Sequence, residues 1–287
     1  MTKKRKVVSA VILGLLMVAT LVGAFVVGAT PRAESIQETM QDAVLHESMQ
    51  VNFFGIAKVN PGLVSAYVVT GILFVFALIV RIFVIPRFKY VPGKFQMLLE
   101  ELVGFFDKLS KDNSPHRHGF VGAYIFTAGV YIFVGTIFEL FGFQAVTVSD
   151  HSVSLPAPLA DINGAICMGC FSYLIILFGG IASNGIKGIG KTLKEFSLPI
   201  SMSFRLFGAL LSGALVTELV YYYTALSIVL PVIVGVLFTL LHALIQAYVL
   251  TMLTSVFYGE VTEKHEKKEK IDKKSIKNKL QNKALEG

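Results

Sequence analysis

Residues 197–213 read Ser197-Leu-Pro-Ile-Ser-Met-Ser-Phe-Arg205-Leu-Phe-Gly208-Ala-Leu-Leu-Ser-Gly213. The apolar run continues to Tyr223 and contains a single permanent charge. A guanidinium at mid-membrane costs at least ~2.5–3.5 kcal/mol on insertion scales, and it cannot discharge at any accessible pH. Snorkelling to the headgroups accounts for Arg81, which lies near the basic end of its own apolar segment. It does not account for Arg205, whose neighbours point elsewhere. Ser201, Gly208 and Ser212 share its helical face, with Ala209 and Gly213 beside them. Small residues around a buried charge let a second helix approach closely. A partner helix presenting a carboxylate matches this surface.

The rest of the chain makes the same medium necessary. Of 287 residues, 54% are apolar and 16% charged, against about 25% charge in a soluble domain. The mean hydropathy is +0.67. Six apolar stretches stand out: Val7–Ala29, Leu63–Ile85, Gly119–Gly142, Gly164–Ser183, Phe196–Tyr223 and Leu226–Tyr258. The first follows Lys3, Lys4, Arg5 and Lys6 and ends in Val27-Gly28-Ala29, so it reads as a cleaved signal sequence or a retained anchor. The other five each suffice to cross a ~30 Å hydrocarbon core at ~1.5 Å per residue. The last two exceed that need, at roughly 42 and 50 Å. Such lengths require strong tilt, a kink or covering partners. Pro231 offers a kink or a helix start, and the short join at Thr224-Ala225 makes the pair an antiparallel hairpin.

Between the second and third stretches, Lys94–Lys111 carries Phe95, Leu98, Leu99, Leu102, Phe105, Phe106 and Leu109 at helical spacing, with charges on other faces. This predicts an amphipathic helix on the membrane surface. With the N-terminal cluster in the cytoplasm, 23 Lys and Arg fall inside, only Arg32 and Lys58 fall outside, and Arg205 is left in the membrane. The net charge of +7 therefore records sidedness rather than a nucleic-acid groove. The C-terminus is expected in the cytoplasm, with residues 259–287 as a Lys-rich solvated tail. Residues 1–30 form the leader or anchor, 31–62 an extracytoplasmic segment, and 63–258 the membrane domain.

Four further polar residues lie within the apolar segments. Glu139 and Glu218 sit near the outer ends of their helices, and His242 and Gln246 share a face four residues apart. Glu218 is thirteen residues past Arg205, ~20 Å along the axis and about 220° around it. A carboxylate there suits an aqueous inlet for a cation. The plainer readings are a structural hydrogen bond for Gln246 and a headgroup carboxylate for Glu139. Cys167-Met-Gly-Cys170 has the spacing of a redox or half-zinc motif but sits in an apolar helix with no second pair. No metal and no cofactor is expected. Asp150, His151 and Asp161 read as outer-loop residues. No phosphate loop or nucleophile elbow occurs, so the chain is not expected to be an enzyme by itself.

At Ser203-Phe-Arg205-Leu-Phe-Gly208 with Gly213, and at Gln246-Ala-Tyr-Val-Leu-Thr-Met-Leu-Thr254, the chain resembles subunit a of F-type ATP synthases. The likeness covers roughly 63–258. It implies that Arg205 faces a rotating ring of c subunits, meets each passing carboxylate, and blocks direct leakage between two offset half-channels, with Gln246 close by. It implies as further partners the b-type peripheral stalk, the remaining synthase subunits and the lipid bilayer, in a bacterial plasma membrane. Departures occur at Ala209, usually Asn in the family, at Ala214, often acidic or His, and at Thr239, Glu or His. Glu218 and His242 lie near the last two and are expected to take over the outer half-channel, with Glu139 as a third carboxylate. The alternatives are a membrane protein insertase, which also uses a buried Arg and a basic tail, and a purely structural subunit. The first should show a long charged hairpin after its early spans, and the second leaves Arg205 unexplained.

Overall fold

The computed structural model of the chain describes residues 11–12, 14–15, 18–19, 22, 51–53, 57–115, 117–146, 152–222 and 230–263. The leader or anchor reading of Val7–Ala29, the Thr224-Ala225 join, Asp150, His151 and the tail beyond 263 lie wholly or mainly outside these residues.

Among the described residues, seven helices carry the fold. They are α1 (Pro61–Ile79), α2 (Lys94–Asn113), α3 (His118–Phe138), α4 (Ile162–Asn184), α5 (Ile186–Lys194), α6 (Ser197–Tyr222) and α7 (Leu230–Thr262). Two short hairpins accompany them: β1 (Val51–Phe53) with β2 (Ala57–Val59), and β3 (Gln144–Val146) with β4 (Ser152–Ser154). Five helical stretches are long and apolar enough to cross a membrane: Pro61–Arg87, His118–Phe141, Ile162–Asn184, Ser197–Thr217 and Ile233–Thr262. The all-α membrane architecture expected from hydropathy is thus present. The hairpins and α5 were not legible as elements, because three-residue strands and a nine-residue basic helix are shorter than the window over which periodicity shows.

Local chemistry sets the ends. Asn60 caps α1 by accepting from the Gly62 N–H at 2.9 Å, with Pro61 in the first turn. At the other end Pro86 lacks the N–H that would continue the helix, and the chain passes through a π turn (Val80–Val84) and a 3-10 turn (Ile85–Arg87). Arg81 sits exposed in that π turn. Asp161 caps α4 by accepting from the Asn163 N–H at 3.1 Å, which makes it a structural residue. Gly185, at φ 58°, ends α4 and starts α5, a conformation that favours glycine. Pro231 falls in the first described turn of α7.

Packing runs in three blocks. The central one joins Ala128 and Ile132 of α3 and Ala165 of α4 to Leu198, Met202, Leu206 and Leu210 of α6 and Ala247 and Leu250 of α7. The second, toward the basic end, gathers Phe106, Val121, Ile125, Ile175, Ile176, Tyr258 and Val261. The third sets Val69 of α1 against Phe138 and Leu155. Most of α1 remains exposed, whereas α3 is the most buried span.

Glycine allows these close approaches. Phe106 of α2 fills the space where a Gly129 side chain would stand, 2.6 Å from its Cβ position. Gly169 accepts Pro199 and Ser203 of α6, and Gly179 accepts the ring of Tyr258. Five buried hydroxyls need no partner helix: Thr136, Ser203, Thr251, Thr254 and Thr262 each donate to the carbonyl four residues earlier at 2.7–2.8 Å.

The amphipathic helix forms as expected, but its apolar residues divide into two sets. Phe106 and Leu109 turn into the bundle, while Phe95, Leu98, Leu102 and Phe105 stay 40–65% exposed. Hydrogen bonds from Ser110 Oγ to the His118 carbonyl (2.6 Å) and from Ser255 Oγ to the Leu109 carbonyl (3.2 Å) fasten α2 to α3 and α7. Asn184 donates to the Val261 carbonyl, Lys191 to that of Glu263, and Arg117 to that of Ala182. These bonds gather the basic segments at one end of the bundle, while β1 lies beside β3 at the other.

Gly179→Val is expected to lower stability by the ~1–3 kcal/mol typical of overpacking, because its side chain would overlap the buried Tyr258 ring. Gly71→Val, which meets open space, should leave the thermal unfolding midpoint in detergent unchanged.

Candidate functional site

Helix α6 has two faces of different character. Leu198, Met202, Leu206 and Leu210 recur every four residues and are 1–6% exposed, so this stripe seals α6 to α3, α4 and α7. On the other side Ser201, Phe204, Arg205, Gly208 and Ser212 are all exposed. The face read from helical spacing is therefore the face the fold leaves outside. It is nearly flat apart from Phe204 and Arg205. Gly208 has nothing within 4 Å of its Cβ position, and Ser212 folds its hydroxyl back onto the Ala209 carbonyl at 2.8 Å.

Arg205 has no hydrogen bond and no ion pair with any described residue. Its five N–H donors thus stand on the outer surface of a membrane-spanning helix without an acceptor from this part of the chain. Hydrocarbon supplies none either. Only an occupant bearing acceptors, a carboxylate best of all, satisfies the group without dragging water to that depth.

Helix α7 supports this face from behind. A Cβ on Gly213 would stand 4.0 Å from His242 Nδ1, so Gly213 and His242 lie level on the antiparallel pair. Counting back along both helices sets Ala209 level with Gln246, and Arg205 one turn further, ~5.4 Å away along the axis. Gln246 is 5% exposed, and its amide makes no hydrogen bond to a described residue. No fully buried side-chain N or O among the described residues lacks a partner. The amide atoms of Gln246 consequently retain an opening to the outside while its carbon stem packs inward. The structural hydrogen bond that would be the plainer account of Gln246 is not made to any described residue.

His242 is half-buried, stacks on Phe238 at 5.8 Å, and hydrogen-bonds through Nδ1 to the Phe238 carbonyl at 2.8 Å. A carbonyl only accepts, so Nδ1 carries the proton, and Nε2 is left to exchange one. Glu139 sits in a 3-10 turn (Glu139–Phe141) that follows α3 and touches α7. It is half-buried, and the Ala157 main chain hydrogen-bonds to its carboxyl group. Glu218 lies on α6 three turns beyond Arg205, with its side chain outside the described set. The site is thus an exposed Arg205 stripe backed by Gln246, with His242 two turns away toward the other end of the bundle.

Sequence reasoning missed two hydroxyl bridges. Tyr124 meets Ser172 at 2.7 Å between α3 and α4, and Tyr131 meets Thr70 between α3 and α1. A tyrosine in an apolar helix carries no sequence mark of its partner. Cys167 and Cys170 are free and exposed. No group of three His, Cys, Asp or Glu among the described residues is placed to hold a metal.

The family model described as ATP synthase A chain matches residues 63–259. That is well over half of the chain, and it contains the Arg205 stripe, Gln246, His242 and Glu139.

In a Cys167→Ser, Cys170→Ser background, single cysteines at Ser201, Gly208 and Ser212 are expected to react with a small maleimide in the detergent-solubilised chain. A cysteine at Leu206, 1% exposed, should not react. In the intact complex the three exposed positions should become several-fold slower, and equal rates with and without the complex would leave this face unpartnered.

Proposed function

This chain belongs to the ATP synthase A chain family, a non-catalytic, proton-translocating part of the membrane sector of the synthase, and from that premise we infer how it conducts ions. The Arg205 face docks on the c-ring, and ions cross the membrane in two steps through half-channels that open on opposite sides. The observation that carries this reading is the exposed Arg205 guanidinium, unpaired among the described residues, beside the small Ser201, Gly208 and Ser212. A partner helix can slide past Ser201, Gly208 and Ser212, and each carboxylate it brings finds a fixed positive charge.

The electrostatics fit stepwise transfer. A permanent cation lowers the pKa of an approaching carboxylate and favours proton release. The same charge repels a cation hopping straight between the half-channels. Gln246, one turn away and unbonded, is placed to steady the guanidinium or the incoming acid. His242 and Glu139, with Glu218, supply titratable groups for the outer half-channel. The chain carries protons or sodium ions, the choice resting with the partner's carboxylate.

The lengths of α6 and α7, roughly 39 and 50 Å, suit a hairpin lying obliquely along a curved ring. The other partners are a b-type peripheral stalk and the remaining synthase subunits, in a bacterial plasma membrane with the C-terminus cytoplasmic. The family match removes the insertase and purely structural readings.

Arg205→Ala is expected to abolish ATP-driven ion pumping in membrane vesicles while the complex still assembles. Full coupled pumping by that variant would end the assignment. Glu218→Gln should slow ion flux by about tenfold, equivalent to ~1.4 kcal/mol on the barrier. An unchanged flux removes Glu218 from the path.

A further inference from the structure

A cavity of about 430 Å³ opens at the basic end of the bundle, far along the sequence from Arg205 on every helix that forms it. Arg117, Phe120, Phe178, Gly179, Ala182 and Tyr258 line it. It lies where α3 begins, α4 ends and α7 nears its last turn. That is the level at which membrane-spanning segments meet headgroups.

Its walls differ in chemistry from top to bottom. Phe120 and Phe178 are 58% and 60% exposed, so the opening is flanked by rings that face outward from spanning helices. Gly179 leaves room there, and the buried Tyr258 closes the back. Arg117 stands at the rim. Its guanidinium donates to the Ala182 carbonyl at 2.9 Å and to the Tyr258 hydroxyl, which hold it in position and leave its other N–H donors open. No carboxylate among the described residues pairs with it. A charged rim above apolar walls, at the end of the bundle that also holds Lys187, Lys191 and Lys194, has the polarity of one anionic phospholipid.

We propose that this cavity holds an anionic phospholipid of the leaflet on the basic side, with its phosphate on Arg117 and an acyl chain between Phe120 and Phe178. A free phosphate has no use for two exposed rings, and a zwitterionic lipid gains less from an unpaired cation. The bound lipid joins the ends of α3, α4 and α7 beside the Arg117–Ala182 and Asn184–Val261 hydrogen bonds. This inference is independent of the ion pathway.

The chain contains no tryptophan, so Phe178→Trp supplies a unique fluorescent reporter in the full-length protein reconstituted in nanodiscs. Brominated phosphatidylglycerol and brominated phosphatidylcholine are compared at equal mole fraction. Quenching by the first is expected to reflect about fivefold enrichment, the ratio that ~1 kcal/mol per arginine at an anionic surface gives. Adding Arg117→Gln should equalise the two lipids, whereas Arg117→Lys should preserve the preference, and monodisperse elution and the thermal midpoint report whether each variant is folded. Equal quenching in the reporter protein, or an unchanged preference in folded Arg117→Gln, overturns the proposal. Loss of the preference in folded Arg117→Lys does the same. Abolition of it by millimolar inorganic phosphate assigns the site to a free anion and also overturns it.

Discussion

A guanidinium that cannot lose its proton, placed on the outer face of a helix that crosses a membrane, has to be met by something from outside the described chain. Every other feature of the site follows from that requirement. Leu198, Met202, Leu206 and Leu210 fasten α6 to the bundle so that Arg205 is held rigidly and presented outward. Ser201, Gly208 and Ser212 keep the presented face low, so a visiting helix can come close enough for a charge to matter. Gln246 brings a polar amide to nearly the same level without spending a charge. A lysine would serve less well, since burial can discharge it and its single ammonium lacks the planar fork that grips a carboxylate.

Holding such a face in place depends on close helix packing rather than on a hydrophobic drive between helices, which lipid largely removes. The chain meets this with glycines at helix contacts: Gly129 under Phe106, Gly169 under Ser203, Gly179 under Tyr258. Several buried hydroxyls, those of Thr136, Ser203, Thr251, Thr254 and Thr262, are satisfied within their own helices, whereas Ser110, Ser114 and Ser255 bond across to neighbouring elements. The few long-range polar bonds cluster at the basic end, where Arg117, Asn184 and Lys191 tie chain segments together by bonding to main-chain carbonyls. The bundle is thus dry and close-packed in the middle and stitched where water begins.

Hydropathy alone revealed the medium, the five spans and the amphipathic α2, because a run of twenty apolar residues has few other uses in water or lipid. Basic residues suggested which ends lie together, and among the described residues Arg117, Asn184 and Lys191 do tie neighbouring segments there. The Arg205 stripe was legible for the same reason: helical period assigns a face to each residue regardless of what the helix touches. Periodicity likewise placed His242 and Gln246 on one side of α7. Less legible were the ends. Asp161 reads as a loop carboxylate until it is seen capping α4.

What sequence by itself determined, then, is which residues can be in the membrane and which face of each helix they occupy, since both follow from transfer free energy and a 3.6-residue period. Only the tertiary structure decided which face is covered. It buried the leucine stripe and left Arg205 outside, divided the apolar residues of α2 between bundle and surroundings, and brought Arg117 against Tyr258 from 141 residues away. Those outcomes depend on how helices distant in the chain fit against one another, on where a glycine admits a ring or a main-chain carbonyl meets a donor. No local pattern encodes that fit.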